Sequence, residues 1–202
     1  MHDEMDILRE VGSISAGKGS IALSEMLGKR INIKLPSLEI LPGGTMINKL
    51  LLDRIVISVS CDILTGIKGN IIFLMDEKSA FKLIDLCYNM GEEDKKSGQL
   101  TEMGLSLIKE VGNVVVSSYL GALGMMLKII IIPSIPTMIS GPIQQIMNML
   151  FNPIDKNDYV LLIQAIFEEH EHKLNGSFYL ALTPTSVKLI QEGCKKLLES
   201  LN

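Results

Sequence analysis

The 202-residue sequence predicts an α+β fold in which two α-β-β-β-α units share one continuous sheet that helices cover. Three observations support this: an internal repeat, apolar residues at helical spacing at the start of each half, and strand-like apolar segments between the helices. We expect a single domain over residues 1–202, with halves of about 1–98 and 99–202. Each half alone is expected to be marginal, because it supplies only a few strands.

The repeat is visible without gaps when the sequence is shifted by 100 residues. Nine of the 27 positions from 10 to 36 are then identical, among them the Glu-Val-Gly segments 10–12 and 110–112. A second match, at an offset of 107, pairs Cys87 with Cys194. The two halves therefore differ in length by a loop between these blocks.

Residues 4–27 and 101–127 carry apolar residues at helical spacing, which predicts one long helix at the start of each half. Short strands are predicted to follow at 31–35 and 129–132. Each of these strands runs into prolines, which cannot continue the ladder of a central strand.

Two longer strands are predicted to complete the sheet of each half, at 51–61 and 69–75 and at 159–167 and 177–182. Asn175-Gly176 predicts the turn between the second pair. The closing helices are predicted to begin at Asp76 and at Thr183, where Pro184 takes the first helical position.

The composition indicates an ordered globular protein and excludes some function classes. Apolar residues make up 47% and charged residues 21% of the chain. The net charge of −4 comes without any block of Lys and Arg, which argues against nucleic-acid binding. Cys61, Cys87 and Cys194 form no C-x-x-C pair, which argues against a disulfide framework or a zinc ribbon and favours the reducing cytoplasm.

We expect neither an export signal nor a membrane span. The N-terminus is acidic and leads into an amphipathic helix, and the most apolar run, 125–132, is far shorter than the roughly 20 residues of a membrane-spanning helix. The expected protein is a cytoplasmic monomer.

A narrow polar stripe recurs on both long helices, at spacing i, i+4, i+7, which places each trio on one helix face. Asparagine is a poor helix former, so an Asn inside the second helix runs against local helix propensity. Taken alone, the spacing is most simply a solvated helix face. The members of the stripe are Asp6, Glu10 and Ser13 in the first half and Ser106, Glu110 and Asn113 in the second.

Extended by a proline, the stripe resembles the motif of the CheC/CheX/FliY phosphatases. That motif is an acidic or hydroxyl residue, three residues, Glu, two residues, Asn, 22 residues and Pro. The second half matches it at Ser106, Glu110, Asn113 and Pro136, and the first half at Asp6, Glu10 and Pro36 but with Ser13 in place of Asn. Two motif copies without a further domain look like the CheC branch of the family.

The resemblance implies hydrolysis of the aspartyl phosphate of a CheY-like receiver in bacterial chemotaxis. It implies that Glu110 pairs with the receiver's active-site lysine. A receiver supplies its own Mg²⁺, so the phosphatase needs no cofactor and only has to orient water, a task that suits the carboxamide of Asn113. Glu10 and Ser13 would form a second, degenerate site, because a single hydroxyl cannot bridge water and phosphoryl oxygen. The resemblance also implies CheD, a receptor deamidase, as a partner.

Two other functions stay open. A catalytically weak, CheC-like binding module that sequesters phosphorylated receiver, or regulates CheD, is favoured by Ser13. A flagellar switch component would require an assembly domain, for which the sequence gives no signal.

Three further segments have two interpretations each. Residues 168–172 (Glu-Glu-His-Glu-His) could hold a metal, but with no third ligand identified a solvated hairpin fits better. Residues 17–20 resemble a phosphate loop only superficially, and their small side chains favour close helix packing. Residues 144–151 predict a short helix that either contacts CheD or lies buried on the sheet.

Overall fold

The computed structural model describes residues 2–42, 54–88, 100–151, 159–169 and 172–201. The elements within these ranges are α1 (His2–Leu27), β1 (Asn32–Pro42), β2 (Ile55–Thr65), β3 (Gly69–Asp76), α2 (Glu77–Tyr88), α3 (Glu102–Leu127), β4 (Ile132–Pro133), β5 (Thr137–Pro142), α4 (Ile143–Phe151), β6 (Tyr159–Glu169), β7 (His172–Leu182) and α5 (Pro184–Leu201).

The seven strands within the described ranges belong to one antiparallel sheet with the order β1-β6-β7-β3-β2, and β4 and β5 both pair with the outer side of β2. The order reads the same when the two halves are exchanged, with β1 matching β4 and β5 together, β2 matching β6, and β3 matching β7. Each half thus pairs its first strand with the second strand of the other half. The sheet cannot be divided without breaking β1–β6, β3–β7 and β2–β5 ladders, so the two halves depend on each other.

The two long helices and the α+β class agree with the sequence-based prediction. Thr101 caps the start of α3, since its hydroxyl accepts a hydrogen bond from the Gly104 amide at 3.1 Å. Lys128 ends the helix in a left-handed conformation, and its amide bonds to carbonyls of the last turn. By length and composition alone α3 could cross a membrane, but half of its most apolar stretch is buried inside the protein, as in a core helix.

The closing helices begin where the capping residues predict. The Asp76 carboxylate accepts a hydrogen bond from the Ser79 amide at 2.6 Å at the start of α2. The Thr183 hydroxyl accepts one from the Ser186 amide at 3.3 Å at the start of α5, where Pro184 is the first helical residue.

The short strands predicted at 31–35 and 129–132 have wrong boundaries. β1 continues to Pro42 after a register shift between Lys34 and Ser37, and on the other side of the sheet β4 begins only at Ile132 and the chain resumes as β5 at Thr137. Both segments are edge strands. A proline on an edge strand interrupts the ladder locally without removing a bond from a second neighbour, so the strand resumes beyond it.

The turn predicted at Asn175-Gly176 is also wrong. Both residues lie inside β7, where Gly176 pairs with Ala165 on one side and Met75 on the other. A Cβ at Gly176 would come within 2.9 Å of the rings of Phe73 and Phe167. Glycine is therefore needed because two aromatic rings cross the strand here, and the strand begins at His172 instead of residue 177.

The main hydrophobic core lies between one face of the sheet and helices α1 and α3. Tyr119 of α3 is fully buried, with its ring centroid 5.0 Å from that of Phe178 in β7. Its hydroxyl has no hydrogen-bond partner within the described part of the chain, and burial raises the pKa of Tyr119 well above the ordinary value for a phenol. The Tyr119 side chain therefore contributes to the core through packing.

The opposite face of the sheet is buried too. Val56, Ile72 and Leu74 alternate with core residues along β2 and β3 and have at most 4% of their surface exposed. Helix α4, predicted over 144–151, contacts β2 and β5, and its Ile143 and Ile146 are buried. One side of this helix therefore packs on the sheet.

Gly112 sets the distance of α3 from the sheet. A Cβ at this position would lie 2.7 Å from the Cβ of Val59, whereas a Cβ at the exposed Gly121 of the same helix would meet nothing within 4 Å. We expect Gly112→Ala to destabilise the protein by about 1–3 kcal/mol through overpacking. The matched Gly121→Ala should stabilise it by about 0.5–1 kcal/mol through helix propensity. Urea unfolding of the two variants checks this, and an equal sign for both would contradict the close-approach role.

Candidate functional site

The second-half stripe lies on the exposed side of α3, in its first half. Ser106 and Glu110 are exposed and Asn113 is half-buried, while Val111 and Gly112 between them are buried against the core. Because Gly112 brings the helix close to β2, the polar residues on either side project from a fixed backbone. The structure thus brings the three polar residues together on one helix face.

Glu110 is a free carboxylate at this surface, since it has no ion pair or hydrogen bond within the residues that the structure describes. Asn113 has one long contact, in which the Ser117 hydroxyl donates to Asn113 Oδ1 at 3.5 Å. A bond at that distance is weak. The amide NH₂ group of Asn113 is therefore available to an incoming molecule, and both side chains can act on a partner together.

The first-half stripe is also exposed on α1, but Asp6 and Ser13 are both engaged with Arg9, whereas Glu10 has no ion pair or hydrogen bond within the described residues. The Ser13 hydroxyl donates to the backbone carbonyl of Arg9 at 3.1 Å, and Arg9 Nη1 forms an ion pair with Asp6 Oδ1 at 3.1 Å. The position that matches Arg9 in the second half is Lys109. The two stripes therefore differ in more than Ser13 and Asn113.

The two stripes form separate surfaces. Helices α1 and α3 pack antiparallel, with Gly19 beside Ser118 and with the end of α1 and the start of α3 lining one cavity. From the rise of 1.5 Å per residue, Ser13 and Asn113 lie roughly 15 Å apart along the helix axes. A partner bound at one stripe would therefore not contact the other stripe through the same site.

The motif prolines lie at equivalent places in the two edge strands. Pro36 falls within the register shift of β1, and Pro136 lies between β4 and β5 and is half-buried. The side chain of Pro36 lies outside what the structure describes. Both prolines thus stand at an interruption of an edge ladder, next to the helix pair.

A cavity of about 280 Å³ opens beside Glu110, between the ends of α1 and α2 and the start of α3. We call it the Glu110 groove. This groove could not be predicted from the sequence, because its walls come from three helices that are distant along the chain. It is lined by Met26, Leu27, Cys87, Tyr88, Ser106, Leu107 and Glu110.

A larger cavity, about 730 Å³, lies between the end of α1 and the edge strand β1. Its serine hydroxyls are used by the backbone: Ser20 Oγ accepts from the Ile33 amide at 2.8 Å, and Ser24 Oγ from the Ile31 amide at 2.9 Å. Glu168 at its edge pairs with Lys34 at 2.6 Å. The two serines and Glu168 are therefore engaged within the protein, while Glu25, Arg30 and Asn32 also line this cavity.

Other candidate chemistries find little support. Burial raises the pKa of the Cys61 thiol to about 11, assisted by the neighbouring Asp62, so this thiol stays protonated at neutral pH and is a poor nucleophile. Over the described ranges no three His, Cys, Asp or Glu side chains cluster in a way that could hold a metal ion. His170 of the suggested metal segment lies outside those ranges, as does the side chain of His172. Residues 17–20 lie within α1, so they do not form a phosphate loop.

Comparisons with known proteins point in one direction. No family model matches the chain. It is 30% identical over 136 residues to the CheY-P phosphatase CheC of Bacillus subtilis, a match that covers 66% of this chain and 65% of CheC. It is 26% identical over 115 residues to the flagellar motor switch phosphatase FliY of the same organism, covering 57% of this chain and 30% of FliY. The matches thus span less than two thirds of either relative.

A solved structure matches over nearly the whole chain. The X-ray structure of Thermotoga maritima FliY superimposes with a TM-score of 0.78 at 24% identity, covering 98% of both chains. The class of protein is therefore an α+β domain with the FliY architecture. In sequence and in fold the chain resembles the CheC/CheX/FliY family. The family resemblance and the fold class inferred from the sequence are both confirmed.

Proposed function

We propose that the protein is a phosphatase that hydrolyses the aspartyl phosphate of a CheY-like response regulator. The observation that carries this is the pair of Glu110, a free carboxylate, and Asn113, a largely free carboxamide, on one face of α3. The names of the curated relatives, CheY-P phosphatase CheC and flagellar motor switch phosphatase FliY, support the same reaction. The cellular role would be chemotaxis signalling in the cytoplasm.

The proposed mechanism divides the work between the two side chains. Asn113 holds a water molecule in line with the phosphorus through its amide group, which can donate and accept without changing its charge. Glu110 pairs with the receiver's active-site lysine and so fixes the register of α3 on the receiver. The protein supplies no metal, because the Mg²⁺ of the receiver neutralises the phosphoryl charge.

A second candidate function is a binding module with weak catalysis. This function is favoured by the first-half stripe. There the Ser13 hydroxyl donates a hydrogen bond to its own helix, and the Asp6 carboxylate forms an ion pair with Arg9. Such a stripe could hold a receiver without hydrolysing its phosphate. Helix α4, with Met149 54% exposed beside its buried isoleucines, is our candidate contact for CheD.

A turnover assay at low protein concentration separates the two functions. Phosphorylated receiver is mixed with one tenth of its concentration of this protein, and phosphate release is followed beyond the first equivalent. A phosphatase releases several equivalents per molecule. Phosphate release that stays at the receiver's own rate, together with stoichiometric binding of the receiver, would support the binding module instead.

Glu110→Lys tests the docking role. We expect it to weaken association with the phosphorylated receiver at least about tenfold, because it places like charge against the receiver's lysine. Glu102→Lys is the matched control, an exposed acid at the start of the same helix but outside the stripe. Titration of fluorescently labelled receiver measures both. Equal affinities for the two variants would rule out a docking role for Glu110.

A further inference from the structure

We infer that the Glu110 groove receives an apolar side chain of the phosphorylated receiver, next to the lysine that pairs with Glu110, and that Tyr88 determines this fit. The inference rests on the proposed function, since it takes the receiver as the partner that α3 meets. It adds an anchoring surface made by α1 and α2 to the two motif residues on α3.

The chemistry of the groove fits such a side chain. Met26 at the end of α1 is 37% exposed and Tyr88 at the end of α2 is 45% exposed, so two large side chains face solvent across the opening. Leu107 is buried between them, 7% exposed. At about 280 Å³ the groove falls just below the roughly 300–1,000 Å³ of small-molecule sites, so it has room for a side chain and little more.

Charge complementarity identifies the partner. Glu110 is the only carboxylate among the described residues that line the groove, and it has no counter-ion within the described chain. A partner that places an apolar side chain in the groove and a lysine beside it would bury the two exposed walls and neutralise this carboxylate. Aromatic and Met side chains at the centre of an interface contribute much of its binding energy.

The surroundings of the first-half stripe lack the corresponding features. The offset of 107 that pairs Cys87 with Cys194 places Lys195 at the position of Tyr88. Gly193, two residues before Lys195 in α5, packs directly against Leu127, the counterpart of Leu27. A lysine at this position would repel the lysine of a receiver docked on Glu10. The apolar wall and the carboxamide therefore occur together at the second-half stripe and are both replaced at the first-half stripe, as expected if they serve one docking event.

The test is Tyr88→Lys in the full-length protein, with Met26→Lys as a second variant. We expect each to raise the KM for phosphorylated receiver about tenfold while kcat stays within about twofold, because the groove binds the partner and does not touch the reacting atoms. Binding to receiver activated with beryllofluoride should weaken to the same degree. Thermal unfolding checks the fold, and Lys195→Ala is the matched control at the equivalent position.

The outcomes distinguish this inference from the proposed function. If both groove variants keep wild-type KM and affinity while Glu110→Lys loses affinity, the groove has no role and the phosphatase function stands. If wild-type protein neither binds nor dephosphorylates the receiver, the proposed function fails, and the inference fails with it. A fall in kcat without a change in KM would also overturn the inference, because it would place Tyr88 in the chemical step.

Discussion

Asn113→Ala should lower receiver dephosphorylation at least about a hundredfold while leaving the protein folded. The loss is expected because the methyl group cannot hold water or donate to a phosphoryl oxygen, and removal of one positioned donor at a reacting centre typically costs about 10²–10³ in rate. Stability should be unchanged or slightly higher, since Ala is a better helix former than Asn. Stopped-flow measurement of phosphate release and urea unfolding provide the two readouts.

Two further variants make this result specific. Asn113→Asp keeps the shape but puts a negative charge beside the phosphoryl group, so it should be as inactive as Asn113→Ala. Ser117→Ala removes only the 3.5 Å contact to Asn113 Oδ1 and should stay within about twofold of wild type, because so long a bond is weak. Wild-type turnover by Asn113→Ala would exclude the water-positioning role.

Ser13→Asn should create a working first site in a protein that lacks the second. In the Asn113→Ala background, we expect it to raise turnover at least about tenfold from a level near zero, and in otherwise wild-type protein by up to about twofold, since one site is then added to another. The substitution sacrifices only the hydrogen bond of the Ser13 hydroxyl to the Arg9 carbonyl, a local contact that contributes little to a helix.

The neighbours of Ser13 decide how complete the rescue is. Arg9, which forms an ion pair with Asp6, corresponds to Lys109 beside the second-half stripe. Lys195 corresponds to Tyr88. Adding Arg9→Lys and Lys195→Tyr to the double variant should therefore raise turnover further. No rescue in any of these proteins, with receiver binding at α1 still measurable, would mean that the first half has become a structural support for the second.

The sequence was sufficient to predict the helices, the class of fold and the motif. The helical spacing of apolar residues determines α1 and α3, and capping residues determine the starts of α2 and α5. Both signals act over three or four neighbouring residues. The offset of 100 aligned the two stripes, since a repeat preserves the positions that face out of each helix.

The strand ends required tertiary information. Asn175-Gly176 has the chemistry of a tight turn, but Gly176 lies in mid-strand because the rings of Phe73 and Phe167 leave no room for a Cβ. The strands containing Pro36 and Pro136 continue because they lie at the edges of the sheet, and whether a strand is central or at an edge depends on the pairing of distant segments.

The site divides in the same way. The sequence by itself determined that Glu110 and Asn113 share a helix face, because that follows from the helical period. Only the tertiary structure decided that Gly112 packs on Val59, and that Met26 and Tyr88 meet beside Glu110 to form a groove. These contacts join residues from separate elements, and their distances depend on how the helices pack on the shared sheet.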